Sequence, residues 1–211
     1  MDPVQARYHL AGEKIVEALR KRHFGAFYCA SGKEAAEKVL SLIPPADTVS
    51  WGGSMTLTTI GMQNLLKEQG YAVIDRSTAK NAEEKSKLMH QALLCDTFLM
   101  SANAVTEDGQ LFNIDMTGNR VAPMIYGPKS VIVIAGMNKV VKTLEDAVSR
   151  TRNYVAPANR QRVPGKTPCA VTGLCSDCIS ADCLCSYMVT TRVSFPEGRI
   201  KVILVGENLG I

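Results

Sequence analysis

The chain has 211 residues, is 46% hydrophobic and 21% charged, and carries a net charge of +4. This is the make-up of a globular protein with one substantial core, and it excludes a disordered chain and a membrane span. The segment Met1 to Arg22 is polar and charged with helical spacing, which excludes a secretory leader and points to the cytoplasm.

The apolar positions Tyr8, Ala11, Ile15, Ala18 and Leu19 predict a helix over Val4 to His23, followed by a short strand over Phe24 to Ala30. Ser31 with Glu34 forms a capping-box pattern for a second helix, and Pro44-Pro45 stops it. Thr48 to Trp51 reads as a strand and leads directly into Gly52-Gly53-Ser54. A helix from about Thr56 to Gln69, a strand at Tyr71 to Asp75, a helix over Ala82 to Leu94 and a strand at Asp96 to Ser101 follow. The turn signal Glu107-Asp108-Gly109-Gln110 predicts a hairpin within Asn103 to Asp115.

Val121 to Tyr126 reads as a short helix, and the run VIVIA at Val131 to Ala135 is the clearest buried strand. Thr143 to Asn153 is expected to be helical. Between Arg150 and Lys166 stand five basic residues and no acidic one, so the rest of the chain is near neutrality. That stretch reads either as a solvated linker or as cations gathered near an anionic cluster or ligand. Nucleic acid is disfavoured, because no aromatic residues are interleaved with the cations. Arg199 to Val205 closes the pattern as a last strand. Strands alternating with helices imply a mostly parallel, open α/β sheet in a single domain over residues 1–211.

Five of the seven cysteines, Cys169, Cys175, Cys178, Cys183 and Cys185, lie within seventeen residues. In a reducing compartment such clustering points to metal rather than disulfides. Zinc held by four cysteines usually takes two tight pairs across a longer loop, so this irregular spacing favours an iron–sulfur cluster, with zinc, or redox or structural thiols, as the alternatives. Five thiols for four positions leave one over. The segment 167–186 is best placed as an excursion from the α/β body before the final strand. Cys29 and Cys95, at strand ends, read as small buried residues.

A second constellation surrounds Gly52, Gly53, Ser54 and Thr56, at a strand–loop–helix junction where backbone and hydroxyl donors can approach an anion. It is neither a Walker A nor a GxGxxG sequence, so no nucleotide follows. Ser101 with Asn103, Asn119 with Arg120, and Asn138 with Lys139 come after apparent strands, the edge where open α/β sheets bind ligands. Arg120 and Lys139 suit a carboxylate or a phosphate.

Trp51-Gly52-Gly53-Ser54-Met55-Thr56-Leu57, the block from Ser101 to Val141, TPCAVTGLCSDC from Thr167 to Cys178, and GRIKVILVGENLG from Gly198 to Gly210 together resemble the lactate-utilization (LUD) domain family. The resemblance implies a Rossmann-like fold of the NagB/RpiA/CoA-transferase-like group with a small hairpin insertion. It implies a C-x5-C-x2-C-x6-C ligand set, Cys169, Cys175, Cys178 and Cys185, for a cluster expected to be [4Fe-4S]. Cys183 is left over, with an exchange of Cys183 for Cys185 still open. It further implies a role around lactate oxidation beside iron–sulfur redox partners, by electron transfer or by handling a small 2-hydroxy acid. The competing readings are a transferase- or isomerase-like enzyme on a phosphorylated or CoA-linked substrate with a structural metal, and a module that senses a carboxylate or redox state. A homodimer is compatible with each.

Overall fold

The centre of the molecule is a strand buried on both faces. In the computed structural model, which describes residues 2–211, β7 (Ser130–Gly136) contains the VIVIA run, and its alternate side chains serve two different cores. Val131, Val133 and Ala135 join one cluster, while Ile132 and Ile134 join the other. A strand can be apolar at every position only when both faces are covered.

The chain reaches that strand through α1 (Pro3–Lys21), β1 (Gly25–Cys29), α2 (Gly32–Leu42), β2 (Thr48–Trp51), α3 (Met55–Thr59), α4 (Met62–Glu68), β3 (Ala72–Ile74), α5 (Ala82–Gln91), β4 (Thr97–Met100), β5 (Ala104–Thr106), β6 (Leu111–Asp115) and α6 (Val121–Ile125). After β7 come β8 (Val140–Val141), α7 (Leu144–Arg150), a π-helical turn (Thr151–Val155), α8 (Ala156–Arg162), α9 (Pro168–Thr172), β9 (Tyr187–Thr191) and β10 (Ile200–Val205). Six strands pair in parallel in the order β1-β10-β7-β4-β2-β3. Ile15, Val16 and Leu19 of α1 cover one face, and Ala35, Val39, Leu57, Met62 and Leu66 of α2, α3 and α4 cover the other. The expected open, parallel α/β sheet is therefore present. No helix among the described residues is long and apolar enough to cross a membrane.

The expected hairpin is β5 with β6, and it belongs to something larger. A second sheet runs in the order β8-β5-β6-β9, with β8 parallel to β5 and β9 antiparallel to β6. The sequence reading missed β9. Its side chains are mostly exposed or half-buried, so no buried face marks it, and its pairing to β6 defines it instead.

Two further differences have local causes. The helix expected over Thr56 to Gln69 is two helices, because Gly61 takes φ 68° between them. The stretch from Arg150 to Lys166 is not a solvated linker. Helix α7 continues through the π-helical turn into α8, with Pro157 in the first turn of α8, where a missing N–H costs nothing. Two of its cations turn inward. The Arg150 Nη1 donates to the Asn103 carbonyl at 2.7 Å, and Arg160 is 3% exposed and bonded to the carbonyls of Val163, Pro164 and Asp182.

The hairpin tip rests on α1. Gly109 has φ 87°, and a Cβ there would stand 2.7 Å from the Ala18 carbonyl carbon and the Leu19 nitrogen. Beside it, Arg22 pairs with Asp108 at 2.5 Å. Gly61 also has positive φ, but nothing lies within 4 Å of its Cβ position. Gly61→Ala is therefore expected to cost about 1 kcal/mol, for the left-handed backbone alone. Gly109→Ala adds a backbone clash and is expected to cost about 2–4 kcal/mol. Urea unfolding of the two variants measures the difference, and equal losses would contradict the docking of the hairpin on α1.

Candidate functional site

Four strands of the parallel sheet end along one edge, and each delivers polar residues there. After β2 come Gly52, Gly53 and Ser54; after β3, Arg76; after β4, Ser101 and Asn103; after β7, Lys139. The ends of β6 and the following turn bring Asp115, Asn119 and Arg120 from the second sheet. These groups enclose a cavity of about 530 Å3. A second cavity of about 610 Å3 lies on the other side of the Gly53–Met55 loop and shares Arg76 and Arg162 with the first.

Lys139 is the most constrained of these groups. It is 4% exposed, and its Nζ donates to Thr56 Oγ1 at 2.8 Å and to Ser101 Oγ at 3.0 Å. No carboxylate pairs with it among the described residues. Burial, followed by the charges of Arg150 and Arg120, lowers its pKa to about 7. A buried amine that faces only hydroxyls and like charges is easiest to keep neutral.

Arg120 is braced from three directions. Its backbone N–H donates to Asp115 Oδ2 at 3.1 Å, its Nε pairs with the same oxygen at 3.2 Å, and its Nη2 donates to the Ile114 carbonyl. Burial and the charges of Arg120 and Arg162 lower the Arg76 guanidinium from its usual value, although Asp115 and Asp75 oppose this. The cavity therefore holds more positive charge than its own carboxylate balances, which suits an anionic occupant.

The two glycines have a specific purpose here. A Cβ on Gly52 would stand 2.6 Å from Arg120 Cγ, and one on Gly53 would stand 2.5 Å from an Arg76 terminal nitrogen. The close approach that the sequence assigned to an anion is made by two arginines lying over the loop. Ser54 caps α3, accepting from the Leu57 N–H at 3.3 Å. Asn119 accepts from the Thr117 hydroxyl at 2.8 Å and lines the cavity. Asn138 instead accepts from the Leu209 N–H at 3.0 Å and so fixes the segment after β10. Arg76 and Asp115 were not singled out from the sequence, whereas Arg162 is one of the cations of 150–166 read there as gathered near an anionic ligand. Arg76 follows a strand end, so the rule that found Lys139 also reaches it.

The cysteine segment borders the same cavity, because Leu184, between Cys183 and Cys185, forms part of its wall. All five clustered thiols are free and half-buried, whereas Cys29 and Cys95 are buried, as expected. Burial, and after it Cys183, Cys175 and Cys169 in that order, push the Cys185 thiol up to about 12. The Cys185 N–H donates to Cys183 Sγ at 3.3 Å, and Arg152 Nη2 lies 3.8 Å from Cys175 Sγ. No three His, Cys, Asp or Glu side chains among the described residues are arranged as a metal-holding group. The chemistry of the segment nevertheless fits a soft-metal or iron–sulfur group. Five half-buried thiols within seventeen residues are a donor set of the kind that soft metals and iron–sulfur groups take.

Lys139 gives a test with a definite sign. Its folded pKa of about 7 lies below the ordinary lysine value of 10.5, so between these values the unfolded chain binds more protons. The cost of burying it is full below pH 7 and is relieved as pH rises toward 10.5. Lys139→Met is expected to stabilise the fold by about 1–3 kcal/mol at pH 6 and by less at pH 9. Denaturant unfolding at the two pH values reads this directly, and an advantage that grows with pH would contradict the buried neutral amine.

The model of the LUD domain matches residues 12–205. Among solved structures, a DUF162 family protein from Deinococcus radiodurans superposes with a TM-score of 0.54 at 13% identity, covering 95% of this chain and 98% of that one. Ribose 5-phosphate isomerase A from Neisseria gonorrhoeae matches 54% of each chain at 19% identity, with a TM-score of 0.35. eIF2B delta from Chaetomium thermophilum matches 54% of this chain and 49% of that one at 16% identity, with a TM-score of 0.33. No curated protein matches the chain. With a family model extending over nearly its whole length, and the strand-edge cavity in the position such a sheet provides, the chain belongs to the LUD domain family.

Proposed function

We propose that this chain is an iron–sulfur LUD domain protein linked to lactate utilization, in which a small carboxylate binds beside the cluster. Cys169, Cys175, Cys178 and Cys185 would hold a [4Fe-4S] group, and iron–sulfur redox proteins would be its partners. The observation that carries this reading is the shared wall: Leu184 faces the cationic cavity while its neighbours Cys183 and Cys185 belong to the crowded thiols. An anion in the cavity and a group on the cysteines would lie side by side.

When bound, such a cluster supplies electron transfer. The chain's own residues have separate tasks. Arg76, Arg120 and Arg162 attract the carboxylate of a small 2-hydroxy acid, Ser54 and Asn119 border it, and Lys139, with a pKa of about 7, takes or holds a proton. The same three arginines support a phosphorylated metabolite as a second ligand class, because guanidinium groups bind phosphate as readily as carboxylate.

Anaerobic purification with iron, sulfide and zinc analysis tests the metal. Four irons and four sulfides per chain are expected for such a cluster, about 4 of each. Serine substitution of Cys169, Cys175, Cys178 or Cys185 should abolish iron retention, while Cys183→Ser should keep it. Iron lost from Cys183→Ser and retained by Cys185→Ser would exchange the two ligands. A colourless chain carrying stoichiometric zinc would remove the redox reading altogether.

Calorimetry with lactate, pyruvate and a sugar phosphate tests the cavity. Arg76→Ala is expected to weaken the preferred anion about 10- to 100-fold, the worth of a charge-assisted hydrogen bond. Unchanged affinity would place the ligand elsewhere.

A further inference from the structure

The hydrogen bonds around Lys139 fix more than its burial. Thr56 Oγ1 donates its own hydrogen to the Leu209 carbonyl at 3.2 Å, and Ser101 Oγ donates to the Ala102 carbonyl at 3.3 Å. Each hydroxyl can then only accept from the lysine. A neutral amine has two N–H bonds, and the two hydroxyls receive both. With Cε in a third tetrahedral position, one position around Nζ is left, and no protein group among the described residues occupies it. An ammonium would direct a third N–H there without an acceptor, whereas a neutral amine directs its lone pair there. Lys139 lines the cavity, so that lone pair is available to an occupant. A lysine that only attracts anions would be charged, and this environment disfavours the charge through burial, Arg150 and Arg120.

We propose that Lys139 is a nucleophile that captures the carbonyl carbon of a small 2-oxo acid as a Schiff base. The nitrogen lone pair forms the N–C bond while the carbonyl π pair moves to oxygen. The two amine hydrogens then leave with that oxygen as water, and a C=N bond remains. Nothing is oxidised or reduced. Thr56 and Ser101 Oγ hold the two amine hydrogens and so orient the lone pair, while water in the cavity carries the protons to the leaving oxygen. When the imine nitrogen takes up a proton from water, the carboxylate next to the reacting carbon offsets its charge, and that carboxylate is itself drawn in by Arg76 and Arg120. The inference rests on the anion cavity of the proposed function and is independent of the cluster.

The test uses the full chain with pyruvate as probe and sodium borohydride as trap, followed by intact-mass and peptide analysis. The expected result is borohydride-dependent addition of one reduced pyruvate on the peptide carrying Lys139. Lactate in place of pyruvate should give no adduct, and Lys139→Met should abolish it. Thr56→Val and Ser101→Ala retain the amine and are expected to slow trapping at least several-fold, so the proposal stays falsifiable if Lys139→Met fails to fold. An absent adduct, an adduct spread over surface lysines, or unchanged trapping in both hydroxyl variants would overturn it. Calorimetry with pyruvate alone separates the two readings. Binding without an adduct removes the nucleophile and keeps the anion cavity, whereas neither binding nor an adduct removes both.

Discussion

A single amine, 4% exposed and held by two hydroxyls at the edge of a parallel sheet, sets the terms for everything around it. Lys139 can be buried there only because Thr56 and Ser101 take its hydrogens, and those two can accept only because carbonyls at Leu209 and Ala102 take theirs. The chain of donors joins the loops after β2, β4, β7 and β10. Displacing any of these strand ends would leave a buried polar group unsatisfied, at a cost comparable to a sizeable part of a domain's stability. The register of the sheet and the protonation of the amine are therefore linked.

The second sheet adds the complementary charge. Strand β6 ends at Asp115, whose carboxylate locks Arg120 over Gly52, and β8 begins immediately after Lys139. Cys185 packs against the small core under this sheet, with Phe112, Ile114 and Ala147. The cysteine segment is thus attached to the element that positions Arg120. Movement of the thiols on taking up a metal would be felt in the cavity through Leu184 and β9.

Much of this was legible in the residues. Continuous apolar runs identify β7 and β10 because both faces are buried, and the strand-end rule leads to Gly52, Ser101 and Lys139. Arg76 was passed over although the strand before it, β3, was itself expected and the same rule reaches it. Residues 150–166 looked like a linker because proline and arginine usually mark exposed chain. Here the π-helical turn places Pro157 in a new first turn, and Arg160 finds carbonyls in the interior. Strand β9 carries no periodic apolar signal because it covers an edge of the hairpin sheet rather than a core. The lowered pKa of Lys139 could not be read at all, since it comes from tertiary burial and from the charges of Arg150 and Arg120.

The strand order also constrains how the molecule is made. Among the described strands, β1 pairs only with β10, although nearly the whole sequence separates them. During synthesis, β1 and the exposed flank of β7 must wait as open edges until residues 200–205 emerge from the ribosome. Such long-range parallel pairing is intrinsically slow and leaves unpaired backbone available to other chains. The thiols of residues 169–185 emerge earlier, while the sheet is still incomplete. A chaperone or metal-delivery protein acting on the nascent chain would therefore meet the cysteines before the cavity beside them exists.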